Sequence, residues 1–316
     1  MSYNILITSA SGYLGGTLLA HLASVQDKFP AYGNLYARIR TEAQAESMKQ
    51  YGAKPLTFDP RDGAEVRNNV VNLDIAVVYC LIDAGSFEAQ TTGAKVFSSH
   101  SGASTDRPLL DSDPELYNIQ KTQRSPHENA GGEPQIAVDA NNTVIEEAEK
   151  YDGEGEGFGN KISIQTVGIV KAAKALQRVY KIDQGELSAT SLIYLQLLRE
   201  ILAGEDVPHG KNGYYLASSG SIVWEKPYMA MAAALAKRNV VGDTTVVPAL
   251  GNEDLQIVER MGAALGCPKE FVPVQLRGKY TFIAVHGKEI RWEPEFPPEH
   301  ILEAADAEVE LILKNL

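Results

Sequence analysis

Asn4 to Leu22 read NILITSASGYLGGTLLAHL, and the reading of this stretch decides the fold. Ile5, Leu6 and Ile7 form a short apolar run with β-branched members. Ser9-Ala10-Ser11-Gly12 is a turn of small residues, after which Leu14, Leu18, Leu19 and Leu22 recur at helical spacing. The pattern is strand, tight turn, helix. A helix that begins there presents unpaired N–H groups and a partial positive charge, which suits a pyrophosphate. Gly12 and Gly15 stand where backbone must come close to something, and Ser9 occupies the place of the first glycine of a dinucleotide turn. Ser9 can turn with negative φ, and its hydroxyl can itself reach phosphate. Ser11, Tyr13 and Leu14 complete the segment expected to line a cofactor. The plainer reading of the same residues is a βα unit whose turn holds no ligand.

Outward from this unit the pattern repeats. Asn34 to Ala37 is a second strand that ends in Arg38-Ile39-Arg40. An NAD-specific domain usually carries an acid near this point for the ribose 2′-hydroxyl, whereas arginine accommodates a 2′-phosphate. Arg38 and Arg40, with no carboxylate between Leu35 and Arg40, therefore favour NADP over NAD, unless both are ordinary solvated charges. Ala43 to Tyr51 is helical in composition, Pro55 to Asp59 a third strand with a carboxylate at its end, and Ala64 to Val71 a short helix. Asp74 to Ile82 is nearly continuous and apolar, as in a strand covered on both faces. Strands alternating with helices predict a parallel, right-handed βαβ sheet, with ligands at the carboxyl ends of its strands.

The bulk properties narrow the function. The 316 residues suffice for a nucleotide-binding domain, expected over 1–160, and a smaller substrate-side lobe over 161–316 whose helices return to the core. No run approaches ~20 consecutive apolar residues, so no membrane span is expected. A core strand this close to the first residue leaves no room for a signal peptide, and the expectation is a cytoplasmic protein. The net charge of −12 argues against nucleic acid as a partner, since phosphate neutralisation needs clustered lysine and arginine. The expected partner is a small-molecule substrate. Cys80 and Cys267 read as free thiols, and no His/Cys spacing suggests a metal.

Two irregular regions interrupt the pattern, Gly85 to Gly132 and the glycine-acid loop DGEGEGFG from Asp152 to Gly159. Beyond them Ile164 to Tyr180 reads as one helix, Leu192 to Leu202 as another, Gly213 to Ala217 as strand-like, and Tyr228 to Arg238 as helix. Leu255 to Leu265 is a helix closed by Gly266, and His300 to Leu316 a capping helix.

The candidate chemistry lies in Tyr117-Asn118-Ile119-Gln120-Lys121, which puts a phenol and an ammonium one helical turn apart. A nearby cation favours the phenolate, so the pair can move a proton at a substrate oxygen while hydride passes to or from a nicotinamide. Asp113 and Pro114 suit the start of that helix. Thr92, in Thr91-Thr92-Gly93, can help hold the substrate oxygen. The plainer readings are a solvated helix face for Tyr117 and Lys121 and a simple turn at Thr92.

SASGYLGG after ILIT, ARIR closing the second strand, and YNIQK resemble the extended and atypical short-chain dehydrogenase/reductases. They are most similar to fungal proteins of the epimerase/dehydratase and NmrA-like type. GNKISIQTVGIVKAAKAL, NGYYLASSGSIVW and HGKEIRWEPEFPPEHILEAADAEVELIL carry the resemblance through the second half. It implies a Rossmann-like doubly wound parallel sheet with a small C-terminal α+β substrate lobe, and NADP in the Gly12 cleft. By resemblance Gly12 and Gly15 take the pyrophosphate turn, Arg40 the 2′-phosphate and Asp59 the adenine side, while Thr92, Tyr117 and Lys121 form the active-site triad. The implied function is an NADP-dependent oxidoreductase, or an epimerase/dehydratase-type enzyme, acting on a small carbonyl or alcohol. The alternative is a sensor that holds NAD(P) without turnover. The chain departs from the family's pattern where Ala89-Gln90 runs directly into Thr91-Thr92 and where Lys150-Tyr151 runs into DGEGEGFG, each at the place of an apolar strand. A further shortfall lies between Ile182 and Ser191.

Overall fold

The structure is a computed structural model and describes residues 3–8, 10, 11, 13–60, 62–79, 94–125, 135, 138, 139, 142, 164–181, 186–188, 193–249, 254–276, 278, 279 and 281–316. Ser9, Gly12, Cys80, Thr92, the end of the fourth expected strand and the DGEGEGFG loop lie outside these residues, as do Ala89 to Thr92 and Lys150-Tyr151, the two places where the chain departs from the expected strand pattern.

The opening unit folds as its spacing predicts: β1 (Asn4–Ile7) leads into α1 (Tyr13–Val25). There follow β2 (Leu35–Arg38), α2 (Glu42–Lys49), β3 (Lys54–Leu56), α3 (Gly63–Asn72) and β4 (Ile75–Tyr79). The four strands are parallel, in the order β3-β2-β1-β4. Successive side chains of a strand point to opposite faces. Ile5 and Ile7 accordingly pack with Leu18, Leu19 and Leu22 of α1 and Met48 of α2, while Leu6 packs with Tyr36, Phe58 and the half-buried Val66 of α3. Helices thus cover both faces, and the chain reverses direction across the sheet between β3 and β4. The gap between the carboxyl ends of β1 and β4 is the switch point at which such sheets bind ligands. Asn4 sets where β1 begins. Its Nδ2 donates to the Leu73 carbonyl at 2.8 Å and its Oδ1 accepts from the Asn34 amide at 2.7 Å, tying the strand to α3 and to β2.

The remaining elements are β5 (Leu109–Leu110), α4 (Leu116–Thr122), α5 (Ile164–Leu176), β6 (Val179–Lys181), β7 (Glu186–Ser188) and α6 (Ile193–Ala203). Then come β8 (Ser221–Val223), α7 (Glu225–Lys237), β9 (Val246–Pro248), α8 (Leu255–Leu265), α9 (Val272–Leu276), β10 (Phe282–Ile283) and α10 (Val285–Glu289), closed by α11 (His300–Glu303) and α12 (Ala305–Asn315). Their strands pair two by two, β10 with β5, β6 with β9 and β7 with β8. A core built on α5, α7, α8 and α12 also takes in Val96, Phe97, Leu109, Leu116 and Tyr117. Its largest aromatics satisfy their polar tips: Trp224 Nε1 donates to the Gly278 carbonyl and Tyr228 Oη to the Leu276 carbonyl, both at 3.1 Å. Helix α6 links the core of the parallel sheet to a third, smaller cluster. Leu198 of α6 is buried in the core of the parallel sheet, while Ile193 at its start packs with Ala284, Ile290 and Trp292.

Several expectations differ from the structure: the third strand is Lys54–Leu56 rather than Pro55–Asp59, and the helix expected from Tyr228 begins at Glu225. The helix from Ile164 stops at Leu176 because Gln177 turns to φ 56°, and Val179-Tyr180-Lys181, β-branched and aromatic, pairs with β9 instead. Gly213 to Ala217 forms no strand: Gly213 closes a 3-10 turn at φ −85° and ψ 22°, the Ala217 amide donates to the Tyr215 carbonyl at 3.0 Å, and Asp111 holds the Leu216 amide. The terminal helix breaks at Ala304, between α11 and α12.

Since Leu19 is fully buried against β1, Leu19→Ala is expected to cost about 2–5 kcal/mol. Val66→Ala, half-buried on the other face, should cost less. Urea unfolding of the two variants measures the order, and equal midpoints would contradict the packing described.

Candidate functional site

The first cluster stands at the carboxyl ends of β1 and β2. The Thr8 amide donates to the Tyr79 carbonyl at 2.9 Å, which carries the β1–β4 pairing one residue past the strand. Gly15 is buried, and a Cβ placed on Gly16 would lie 3.4 Å from the Ala10 carbonyl oxygen, so the turn and the first helical turn are in close contact. Tyr13 and Leu14 form the start of α1. Ser11 Oγ accepts from Gln44 Nε2 at 3.1 Å. Gln44 is the third residue of α2 and completes a capping box. Its amide nitrogen donates to Thr41 Oγ1 at 3.3 Å, and its side-chain oxygen accepts from the backbone N–H groups of Arg40, at 2.8 Å, and Thr41, at 3.3 Å. Gln44 therefore ties the turn after β1 to the N-terminus of α2, where Arg40 is exposed.

The two arginines have different surroundings. Arg38 is buried; its Nε donates to the Phe58 carbonyl at 3.1 Å and its guanidinium lies 5.7 Å from the Phe58 ring centroid. It fastens β2 to the segment after β3. Arg40 faces solvent beside Ser11 and the α2 N-terminus. Asp59 is half-buried beyond β3, with its backbone N–H donating to Glu65 Oε2 at 2.8 Å. The described donors here fit a dinucleotide: the Ser11 hydroxyl, the N-termini of α1 and α2, and the exposed guanidinium of Arg40.

The second cluster is on α4. Asp113 does not cap this helix, which begins at Leu116 with Glu115 as its N-cap and no side-chain cap bond; Asp113 Oδ1 accepts from the Glu115 amide at 2.9 Å in the turn just before it. Tyr117 and Lys121 meet one turn apart, with Nζ 3.4 Å from the phenol oxygen. Tyr117 is buried, while Lys121 is exposed. A second ammonium, that of Lys211, lies 5.4 Å from the centroid of the Tyr117 ring. Tyr214 Oη donates to Gln120 Oε1 at 2.9 Å. Burial, and secondarily the charge of Tyr117, push the Tyr214 phenol up from its ordinary value, so it stays a donor.

A buried carboxylate fixes the surroundings of α4. Asp111 is 1% exposed. Its Oδ1 accepts from the Val285 and His286 amides at 2.7 and 3.0 Å, and its Oδ2 from the Leu216 amide at 3.1 Å. It thereby caps α10, which has no side-chain cap of its own from Ala284. His286 Nδ1 donates in turn to the Tyr214 carbonyl at 2.8 Å. Asp111, Gln120, Lys211, Tyr214 and His286 escape the sequence reading because they converge from distant segments. Gln44 alone had a signal, the Thr41-x-x-Gln44 capping spacing.

The two clusters stand on different cores and connect through α6. Tyr79, at the end of β4, donates from Oη to the Tyr194 carbonyl at 3.0 Å. From there Ile193 packs beside α10, which Asp111 caps, and His286 leads to Tyr214 and Gln120. Among the described residues no helix is long and apolar enough to cross a membrane, and no three His, Cys, Asp or Glu side chains are grouped to hold a metal ion.

No protein-family model and no curated protein sequence matches the chain. Solved structures do. A dTDP-glucose 4,6-dehydratase from Bacillus anthracis str. Ames, in complex with NAD, aligns over 99% of this chain and 97% of its own, with TM-score 0.58 and 11% identity. The terminal R domain of the myxalamid PKS-NRPS biosynthetic pathway aligns over 99% and 91%, with TM-score 0.60 and 13% identity. The Helicobacter pylori ADP-L-glycero-D-manno-heptose-6-epimerase aligns over 98% and 96%, with TM-score 0.54 and 9% identity. At such identities the likeness is one of fold: the chain has the Rossmann-type α/β fold of epimerase-, dehydratase- and reductase-type structures.

Two substitutions test these clusters. Asp111→Ala removes the acceptor of three backbone donors, at about 1–3 kcal/mol per unsatisfied buried group. A loss of roughly 3 kcal/mol is expected in urea unfolding, and an unchanged midpoint would mean that the carboxylate holds nothing. Gln44→Ala should cost about 1 kcal/mol through the lost cap. It should also weaken any nucleotide binding at Ser11, as calorimetry would show.

Proposed function

We propose that this protein binds NADP at the carboxyl edge of the parallel sheet and is an NADP-dependent oxidoreductase, of epimerase/dehydratase type, acting on a small carbonyl or alcohol substrate. The observation that carries the reading is the approach of Lys121 Nζ to Tyr117 Oη, 3.4 Å apart on one helical turn, in a chain of Rossmann-type fold.

The Ser9–Gly15 turn and the first N–H groups of α1 would receive the pyrophosphate. Arg40, exposed at the α2 N-terminus, would take the 2′-phosphate, with Ser11 held in place by Gln44. Arg38 would support this edge by bracing β2 on Phe58, and Asp59 would face the adenine side. A bound nicotinamide supplies hydride transfer. The protein's part is the proton. Tyr117 would give it to, or take it from, the substrate oxygen at its phenol Oη. The positive charge of Lys121 favours the phenolate and so eases that transfer. Thr92 would donate to the same substrate oxygen.

If this reading holds, Arg40→Ala should lower the affinity for NADP about tenfold or more, the worth of a charge-assisted contact, and leave that for NAD nearly unchanged. Calorimetry with both cofactors measures the difference, and equal affinities in the parent protein would refute the preference for NADP. Tyr117→Phe should reduce turnover in a carbonyl and alcohol screen by roughly 10²–10⁴-fold while NADP binding persists. Binding with no turnover of any substrate by the parent protein would instead identify a nucleotide sensor.

A further inference from the structure

Helix α6 carries a buried carboxylate, Glu200, that belongs to neither cluster. Its Oε1 accepts from Gln196 Nε2 at 2.6 Å, and its Oε2 is paired with Arg291 Nη2. Gln196, one helical turn before Glu200, also donates from Nε2 to the Ile290 carbonyl at 2.8 Å. Ile290 ends α10, and Arg291 follows it. One face of α6 is therefore bound at two points to the closing turn of α10. The apolar contact at this joint is small, Ile193 packing with Ala284, Ile290 and Trp292. The ion pair is uneven. The Arg291 side chain is 70% exposed and that of Glu200 5%, so a cation on the solvent side closes over a carboxylate that is out of water.

The turn is built to present that cation. Arg291 adopts φ 60°, and its amide and that of Trp292 donate to the carbonyls of Lys288 and Gly287 at 2.9 and 2.8 Å. The left-handed residue that ends a helix in this way is usually glycine, because a Cβ is penalised there. An arginine at this place strains the backbone, and its side chain offsets the strain by meeting Glu200, since a buried charge left without its partner is the costlier defect. What α10 holds in turn is the inner face of α4. Its start is capped by Asp111, which also holds the Leu216 amide, and its His286 holds the Tyr214 carbonyl while Tyr214 meets Gln120. Tyr117 and Gln120 are both buried on that face. We propose that Glu200 and Arg291 form an ionic latch: closed, it holds α10, and through it Tyr214 and Gln120, in place against α6; open, it loosens the surroundings of Tyr117. The two are thereby positioning residues for the proton transfer at Tyr117, a role that rests on that reading of the phenol.

The test is amide hydrogen exchange of the full chain, read by mass spectrometry with backbone fragmentation. In Glu200→Gln and in Arg291→Gly the amides that Asp111 holds, those of Leu216, Val285 and His286, should exchange about tenfold faster or more. The amides of Ile39 in the parallel sheet and Ala249 after β9 should keep their rates, and Arg291→Lys should retain most of the protection. Arg291 is exposed, so its variants serve should Glu200→Gln fail to fold. Glycine takes φ 60° without strain, so a side chain that held nothing would leave exchange in Arg291→Gly unchanged or slower. That result, or equal acceleration at Ile39 and Ala249, would overturn the latch. In a preparation that turns over a carbonyl or alcohol, Arg291→Gly should lower kcat and leave NADP affinity nearly unchanged, with Arg291→Lys restoring kcat; an unchanged kcat would overturn the positioning role. Local acceleration in a protein that turns over nothing would keep the latch and remove only the enzymatic reading, whereas turnover with no change in exchange would do the reverse.

Discussion

A carboxylate taken out of water must have its oxygens filled, and Asp111 meets that demand with three backbone N–H groups from two separate segments. The rest of the second cluster follows from this constraint. One segment is the start of α10, which has no other side-chain cap. The other is Leu216, two residues past Tyr214. By drawing both to the loop after β5, Asp111 brings His286 under the Tyr214 carbonyl and Tyr214 against Gln120. The face of α4 opposite the solvent is thereby closed, and Tyr117 is buried in a polar setting rather than left on a free helix. A phenol that has to move a proton needs such fixed surroundings, because misplacement of a reacting group costs rate steeply.

The glycine turn is organised by a different device. Gln44 uses both ends of its amide, accepting from the backbone of Arg40 and Thr41 and donating to Ser11. A capping box normally serves only its own helix. Here the same residue reaches across to the neighbouring βα turn, so the starts of two helices, each with a partial positive charge, are held side by side. Against the chain's net charge of −12 this local positive edge stands out electrostatically.

The first four strands were legible because their code is local: short β-branched apolar runs and punctuating turns can each be read within a few residues. Tyr117 and Lys121 were legible for the same reason, being one turn apart on one helix. Asp111, Tyr214 and Lys211 were not, since Asp111 and Leu216 are 105 residues apart and no local pattern marks their meeting. Val179 to Lys181 shows the limit from the other side. Its apolar residues continue the helical period of α5, and only the positive φ at Gln177 and the distant partner β9 make it a strand. The two arginines after β2 share a local motif, yet Arg38 is turned inward by Phe58, a contact that depends on how β3 lies beside β2.

The place of α6 bears on how the chain comes to be folded. Leu198 completes the core beneath β1 and β2, and Tyr194 receives the Tyr79 hydroxyl from 115 residues earlier in the chain. During synthesis the parallel sheet therefore emerges long before the helix that finishes covering it. Until α6 arrives, the nascent sheet exposes an apolar face next to unpaired strand edges, the situation in which newly made chains associate wrongly or engage chaperones. Closing so long a loop is entropically slow, and contacts this distant in sequence form late. Assembly of the nucleotide edge is thus coupled to arrival of the second half, and a prematurely terminated chain would be left with an open, sticky sheet.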